Sequence, residues 1–146
     1  MREQMNTVQT GFQGGFWSET MARILVVEDD PAQRFLFVQL LRRAGYDALG
    51  AGDAQEAFSV LASGIPVDAV LMDMVMPGVH GPALFHAFQQ HFPHLPVVMM
   101  SVRASTDCNI DTNAPGVFFL QKPFERHTLS EILASAINSM RSGSAS

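Results

Sequence analysis

The chain has 146 residues, room for one ordinary domain and too few for two. Its 47% hydrophobic content can fill a core, and a formal net charge of −5 argues against nucleic acid or an anionic membrane as the main partner. A single cysteine, Cys108, excludes an internal disulfide and a cysteine-rich metal cluster, and no apolar run approaches the roughly 18 to 20 residues of a membrane helix. With no apolar stretch behind a basic start to serve as a secretory signal, the expected setting is the cytoplasm.

Residues 1–21 are rich in Gln, Gly and Thr without sustained periodicity, and read as a flexible N-terminal extension. A regular domain is expected over 22–140, followed by a polar, frayed tail over 141–146. Ile24-Leu25-Val26-Val27 is a short apolar run ending in acids, the pattern of a strand buried on both faces. Asp30-Pro31 supplies an N-cap and a first-turn proline for a helix reaching Ala44, before Gly45. Ala48–Ala51 is a weaker strand. Asp53 with Glu56 forms a capping box for a helix ending near Gly64. Val67–Met72 is a third buried strand, and Asp73 leads into a loop with Pro77, Gly78 and Gly81. Pro82–His91 is helical, Pro96–Met100 and Val117–Gln121 are strands, and Phe124–Met140 carries Leu129, Ile132, Leu133, Ala136 and Ile137 at helical spacing.

Five apolar strands alternating with helices imply an α/β fold: a doubly wound, five-stranded parallel sheet with helices on both faces. Its ligand site belongs beyond the carboxyl ends of the strands. Those ends carry Glu28, Asp29 and Asp30 after the first strand, Asp73 after the third, Ser101 after the fourth and Lys122-Pro123 after the fifth. Clustered carboxylates repel unless a cation joins them, and hard oxygen ligands favour Mg²⁺. Taken alone, an acidic triplet is more often a helix cap, and Asp30 reads as one. The five histidines do not recur at metal-binding spacing, which makes surface roles the simplest reading.

The ordered set Ile24–Pro31, Leu71–Gly78, Ser101 and Lys122-Pro123-Phe124 resembles a response-regulator receiver domain, over about Ala22 to Met140. The resemblance implies the flavodoxin-like receiver fold and a switch rather than an enzyme. Asp73 would be the phosphoacceptor. Asp29, Glu28, Asp73 and the backbone carbonyl of Val75 would hold Mg²⁺, and Lys122 and Ser101 would contact the phosphoryl oxygens. Phe119, three residues before Lys122, would be the aromatic switch moving with Ser101. The implied partners are a sensor histidine kinase or histidine phosphotransfer protein and an unidentified downstream protein. With so few residues after Met140, a fused output module is not expected.

Three departures qualify these expectations. Val102 stands where a small residue is usual in the family. By the same resemblance, Val75 and Arg103 occupy the two variable positions that in the family tune dephosphorylation, and an apolar Val75 predicts slow self-dephosphorylation. Residues 102–116, rich in Thr, Asp, Asn and Pro, predict a short and weak fourth helix. Two alternatives remain at this level: a pseudo-receiver acting as a phosphorylation-independent interaction module, and an aspartyl phosphatase of the haloacid-dehalogenase kind. The second wants an acid two residues after the nucleophile, where Val75 stands.

Periodicity adds a partner surface. On the first helix Phe37, Leu40, Leu41 and Ala44 share one side, with Leu36 at its edge. Phe35 and Val38 are expected on the opposite, solvent side beside the acidic pair, as contacts for the phosphodonor partner.

Overall fold

The computed structural model describes residues 22–76, 79–102 and 116–145. The expectations for the N-terminal extension, for Cys108 and Arg103, and for a weak helix between Arg103 and Pro115 lie outside them.

Five parallel strands form one sheet in the order β2-β1-β3-β6-β7: β1 (Arg23–Val27), β2 (Asp47–Ala51), β3 (Ala69–Asp73), β6 (Val97–Ser101) and β7 (Val117–Gln121). Two short strands after Asp73, β4 (Val75–Met76) and β5 (Val79–His80), pair antiparallel where the sequence suggested only a loop. Four helices complete the described residues: α1 (Pro31–Arg43), α2 (Ala54–Ala62), α3 (Gly81–His91) and α4 (Arg126–Ala145). None of the described helices is long and apolar enough to cross a membrane.

Because side chains alternate along a strand, each buried strand feeds two cores. Ile24, Val26, Leu71, Val98, Met100 and Leu120 point to one face, where α1 and α4 cover them with Phe37, Leu41, Leu129 and Leu133. Leu25, Val27, Val70, Met72, Val97 and Met99 point to the other, covered by Ala57 of α2 and Leu84, Phe85 and Phe88 of α3. Continuous apolar runs therefore mark strands sandwiched between helices, as the sequence implied.

Local chemistry sets the helix ends. Asp30 caps α1, its carboxylate accepting from the Ala32 N–H, with Pro31 at the first helical position. Asp53 accepts from the Glu56 N–H at 2.7 Å, while Glu56 reaches back to the Gly52 N–H at 2.6 Å, one residue earlier than a strict capping box would place it. Gly45 (φ 98°) lets the chain turn off α1 through the left-handed region that a side chain disfavours.

Predicted boundaries of two elements move. β3 starts at Ala69 rather than Val67, because Asp68 is used by its side chain as well as its backbone: its carboxylate accepts from the Arg23 N–H at 2.8 Å. It also includes Asp73 itself. The last helix begins at Arg126 rather than Phe124 and continues beyond Met140 into the expected tail as far as Ala145, since extending an existing helix costs far less than starting one.

The face assigned to α1 is corrected. Val38 is buried in the core with Phe37 and Leu41, whereas Leu36 is 54% exposed and Ala44 is also exposed. The inward stripe runs through half-buried Arg34 and buried Phe37, Val38 and Leu41, at i, i+3, i+4 and i+7. Apolar residues alone gave the wrong centre because Arg34 lies on the inner side, its stem crossing Gly50 of β2. Phe35 is exposed as expected, at 67%.

Candidate functional site

The parallel register brings the strand ends together. Val27 pairs with Met72, so the next residues, Glu28 and Asp73, are neighbours across β1 and β3. Asp73 pairs with Met100, placing Ser101 one step beyond, and the Lys122 N–H donates to the Ser101 carbonyl at 2.7 Å. One crevice thus collects Glu28, Asp29, Asp73, Ser101 and Lys122 from four strands. It sits where the chain reverses direction across the sheet, since β2 lies on one side of β1 and β3 on the other.

Glu28, Asp73 and Ser101 are buried, and Asp29 and Lys122 are half-buried. The Lys122 ammonium lies 3.1 Å from Asp73 Oδ2, an ion pair spanning β7 to β3. The same Nζ is 5.7 Å from the centroid of the Phe37 ring, which stacks on Phe124 at 6.0 Å. Sequence reasoning missed this aromatic floor; Phe37 was assigned to the core, and nothing in its spacing marks contact with a lysine.

Glu28 is the unusual member. Its Oε2 accepts from the Asp30 N–H at 3.1 Å, but its buried Oε1 has no hydrogen-bonding partner. Burial pushes its carboxyl up to about 7, reinforced by a shared hydrogen bond with Asp73 and by the Asp73 charge; the Asp30 N–H works the other way. Two unit charges 4 Å apart repel by about 4 kcal/mol at an effective dielectric near 20. A single hydrogen bond to a charged group returns about 1.5–3 kcal/mol. Lys122 answers the Asp73 charge, but Glu28, with one N–H on Oε2 and nothing on Oε1, favours a proton or a further cation beside it.

Among the described residues no group of three or more His, Cys, Asp or Glu side chains is arranged as a metal cage. Mg²⁺ does not require one, since it binds through one or two carboxylates and keeps several waters. The buried, unsatisfied Glu28 oxygen and its carboxylate neighbours are the kind of donor set that suits a hard cation. Val75 lies in β4, two residues beyond Asp73.

The switch and surface residues fall as follows. Phe119 is half-buried against the α2/α3 core and pairs with Met99, on the same face of the sheet as Ser101. Val102 is 68% exposed just past Ser101. Phe35 stands on the outside of α1, and Val38 does not join it.

Strand order, helices on both faces and a crevice at the topological switch point define a flavodoxin-like fold. The chain belongs to the response regulator receiver domain family of two-component systems, whose family model matches residues 24–134. It is 32% identical over 114 residues to the response regulator protein FleR of Pseudomonas aeruginosa, covering 77% of this chain and 24% of FleR. A receiver domain protein from Clostridium thermocellum superposes with a TM-score of 0.74 at 26% identity, covering 83% of this chain and 98% of that one. The response regulator TrrA of Thermotoga maritima, solved in complex with Mg²⁺ and BeF, superposes with a TM-score of 0.69 at 26% identity, covering 80% and 99%. The chain spans about a quarter of the length of the curated relatives it matches.

The raised Glu28 carboxyl has a consequence for stability in metal-free protein. Between the ordinary value of 4.5 and about 7 the folded state binds more protons than the unfolded one, so stability falls as pH rises through that window. Glu28→Gln removes this dependence. In EDTA its melting temperature should match the wild type near pH 4.5, exceed it increasingly toward pH 7, and keep a constant lead above that. Parallel melting curves across the range would contradict the assignment.

Proposed function

We propose that this receiver domain accepts a phosphoryl group on Asp73 from a phosphohistidine donor, in a Mg²⁺-dependent reaction, and that the acyl phosphate resets a protein-binding surface or is relayed onward. The observation that carries the reading is the placement of Asp73. It is a buried carboxylate at the end of a central strand, ion-paired to Lys122 at 3.1 Å and flanked by the unsatisfied Glu28 carboxyl.

In the proposed step an Asp73 carboxylate oxygen attacks phosphorus. The new O–P bond forms as the P–N bond to the donor imidazole breaks, and its electron pair returns to that nitrogen. Glu28, Asp29, Asp73 and the Val75 backbone carbonyl are the residues that would hold Mg²⁺. Bound there, the ion offsets negative charge on the transferring group. Lys122, already at Asp73, is placed to shift its ammonium to the phosphoryl oxygens. Ser101 donates its hydroxyl to the same oxygens, and Phe119, on the same face of the sheet, repacks as Ser101 moves. A local charge change thereby biases a side-chain packing choice.

An aspartyl phosphate predicts a clear genetic result. With acetyl phosphate and Mg²⁺ the wild-type protein should label and Asp73→Asn should not, while circular dichroism reports an unchanged fold. Equal labelling of Asp73→Asn would move the acceptor elsewhere, and failure of the wild type would favour an inert interaction module.

The donor docks, in this reading, on the outer side of α1. The sequence pattern offered Phe35 with Val38; the exposed pair is Phe35 with Leu36. Two large apolar side chains one turn before Gln39, and near the acidic turn, suit a transient interface with an aromatic anchor. A Phe35→Ala, Leu36→Ala double variant should slow transfer from the cognate histidine protein by about tenfold or more, the effect of losing roughly 1.4 kcal/mol of docking energy. Labelling by acetyl phosphate should be nearly unchanged. Equal losses with both donors would mean the helix itself had been disturbed, and no loss with either would remove this surface from the account.

A further inference from the structure

Arg34 occupies the second turn of α1 and faces inward, toward β2 and the turn that follows β1. Its Nη1 donates to the Glu28 carbonyl at 2.8 Å and lies 3.5 Å from the Asp29 carbonyl. The guanidinium therefore holds the two successive peptide groups that carry the acidic pair. Its stem occupies room that the sheet leaves free of side chains. A Cβ on Gly50 would stand 3.0 Å from Arg34 Cγ, and one on Gly52 would stand 2.9 Å from Nη1. Neither glycine has a positive φ that would explain it by backbone geometry. Both positions are accounted for by the arginine lying across them.

Both contacts are made by one nitrogen, Nη1, whose two N–H groups lie in the guanidinium plane. What that nitrogen fixes is backbone: the orientation of the Glu28 and Asp29 peptides, and with it the direction in which their side chains leave the end of β1. We propose that Arg34 is a positioning residue for the cation site, clamping the Glu28–Asp29 turn so that its carboxylates face Asp73. It touches neither the phosphoryl group nor the metal. The inference rests on the Mg²⁺-dependent reading above and assigns this chain's own arginine a role in it.

The internal control is Arg42, which straps the far end of the same helix to the same strand, its Nη2 donating to the Ala48 carbonyl at 3.1 Å. Arg34→Met keeps most of the apolar stem and removes the donors; Arg42→Met does the same away from the site. Calorimetric titration of each full-length protein with MgCl₂ should show affinity falling about tenfold or more in Arg34→Met, as for other residues that orient metal ligands. Arg42→Met should bind as the wild type does. Labelling of Arg34→Met by acetyl phosphate should recover toward the wild-type rate as Mg²⁺ is raised to saturation. Gly50→Ala, which displaces the stem while leaving the charge, should also weaken Mg²⁺ binding. It should have no further effect in an Arg34→Ala background, because coupled residues fail to add. Wild-type Mg²⁺ affinity in folded Arg34→Met, or an equal loss in Arg42→Met, would overturn the role of Arg34 alone. A wild-type protein that neither binds Mg²⁺ nor labels on Asp73 would overturn the reading of the site, and this inference with it.

Discussion

Glu28 and Asp73 are adjacent because β1 and β3 are adjacent, and the strands on which they stand are buried on both faces. Moving a carboxylate out of water costs several kcal/mol, and a second one beside it adds repulsion. The fold answers this only in part. Lys122 reaches across to Asp73 and the Asp30 N–H reaches Glu28, but Glu28 Oε1 is left with no partner. The shortfall is local, and it lies at the one end of the sheet where a ligand is expected. Apolar strands fix the acids in place; Lys122 answers one of them, and the Glu28 oxygen is left over.

The same parallel register links the site to the rest of the molecule. Ser101 and Phe119 lie on neighbouring strands and on one face, so a change at the end of β6 meets aromatic packing on β7 without crossing the sheet. On the other face α1 contributes three things from one short stretch. Asp30 caps the helix beside the acids, Arg34 clamps their peptides, and the Phe37 ring lies under Lys122. The exposed Phe35 and Leu36 lie on the same helix, which places the proposed donor surface near the proposed acceptor.

The strands and the crevice at their carboxyl ends were legible in the sequence because both depend on short, strong signals. Four-residue apolar runs ending in Asp, Glu, Ser or Lys state where a buried strand stops and what stands at its end. The helix face was less legible. Counting apolar residues on α1 put Val38 outside and Leu36 near the inside, the reverse of their burial, because the side chain at the centre of the inner stripe is Arg34. A long stem ending in a charge packs as an apolar residue does while scoring as a polar one. Gly50 and Gly52 carried the missing signal, since glycines in and beside a strand mark a close approach by something else. The contact of Lys122 with Phe37 had no such trace, being made by residues 85 positions apart. That Glu28, Asp73, Ser101 and Lys122 converge at the strand ends could be read from order and spacing; the groups that hold them in place depend on packing between distant segments.

The central claim is that the ends of β1, β3, β6 and β7 form one cation-dependent site around Asp73. Its most direct test is a residue-resolved amide NMR titration with Mg²⁺, starting from EDTA-treated protein. The account predicts saturable shifts concentrated at Glu28, Asp29, Asp30, Asp73, Met74 and Val75, with smaller ones at Ser101 and Lys122 and none at the opposite end of the sheet around Asp47 and Asp68. Shifts that fail to saturate, or that spread over surface acids without favouring those strand ends, would contradict it.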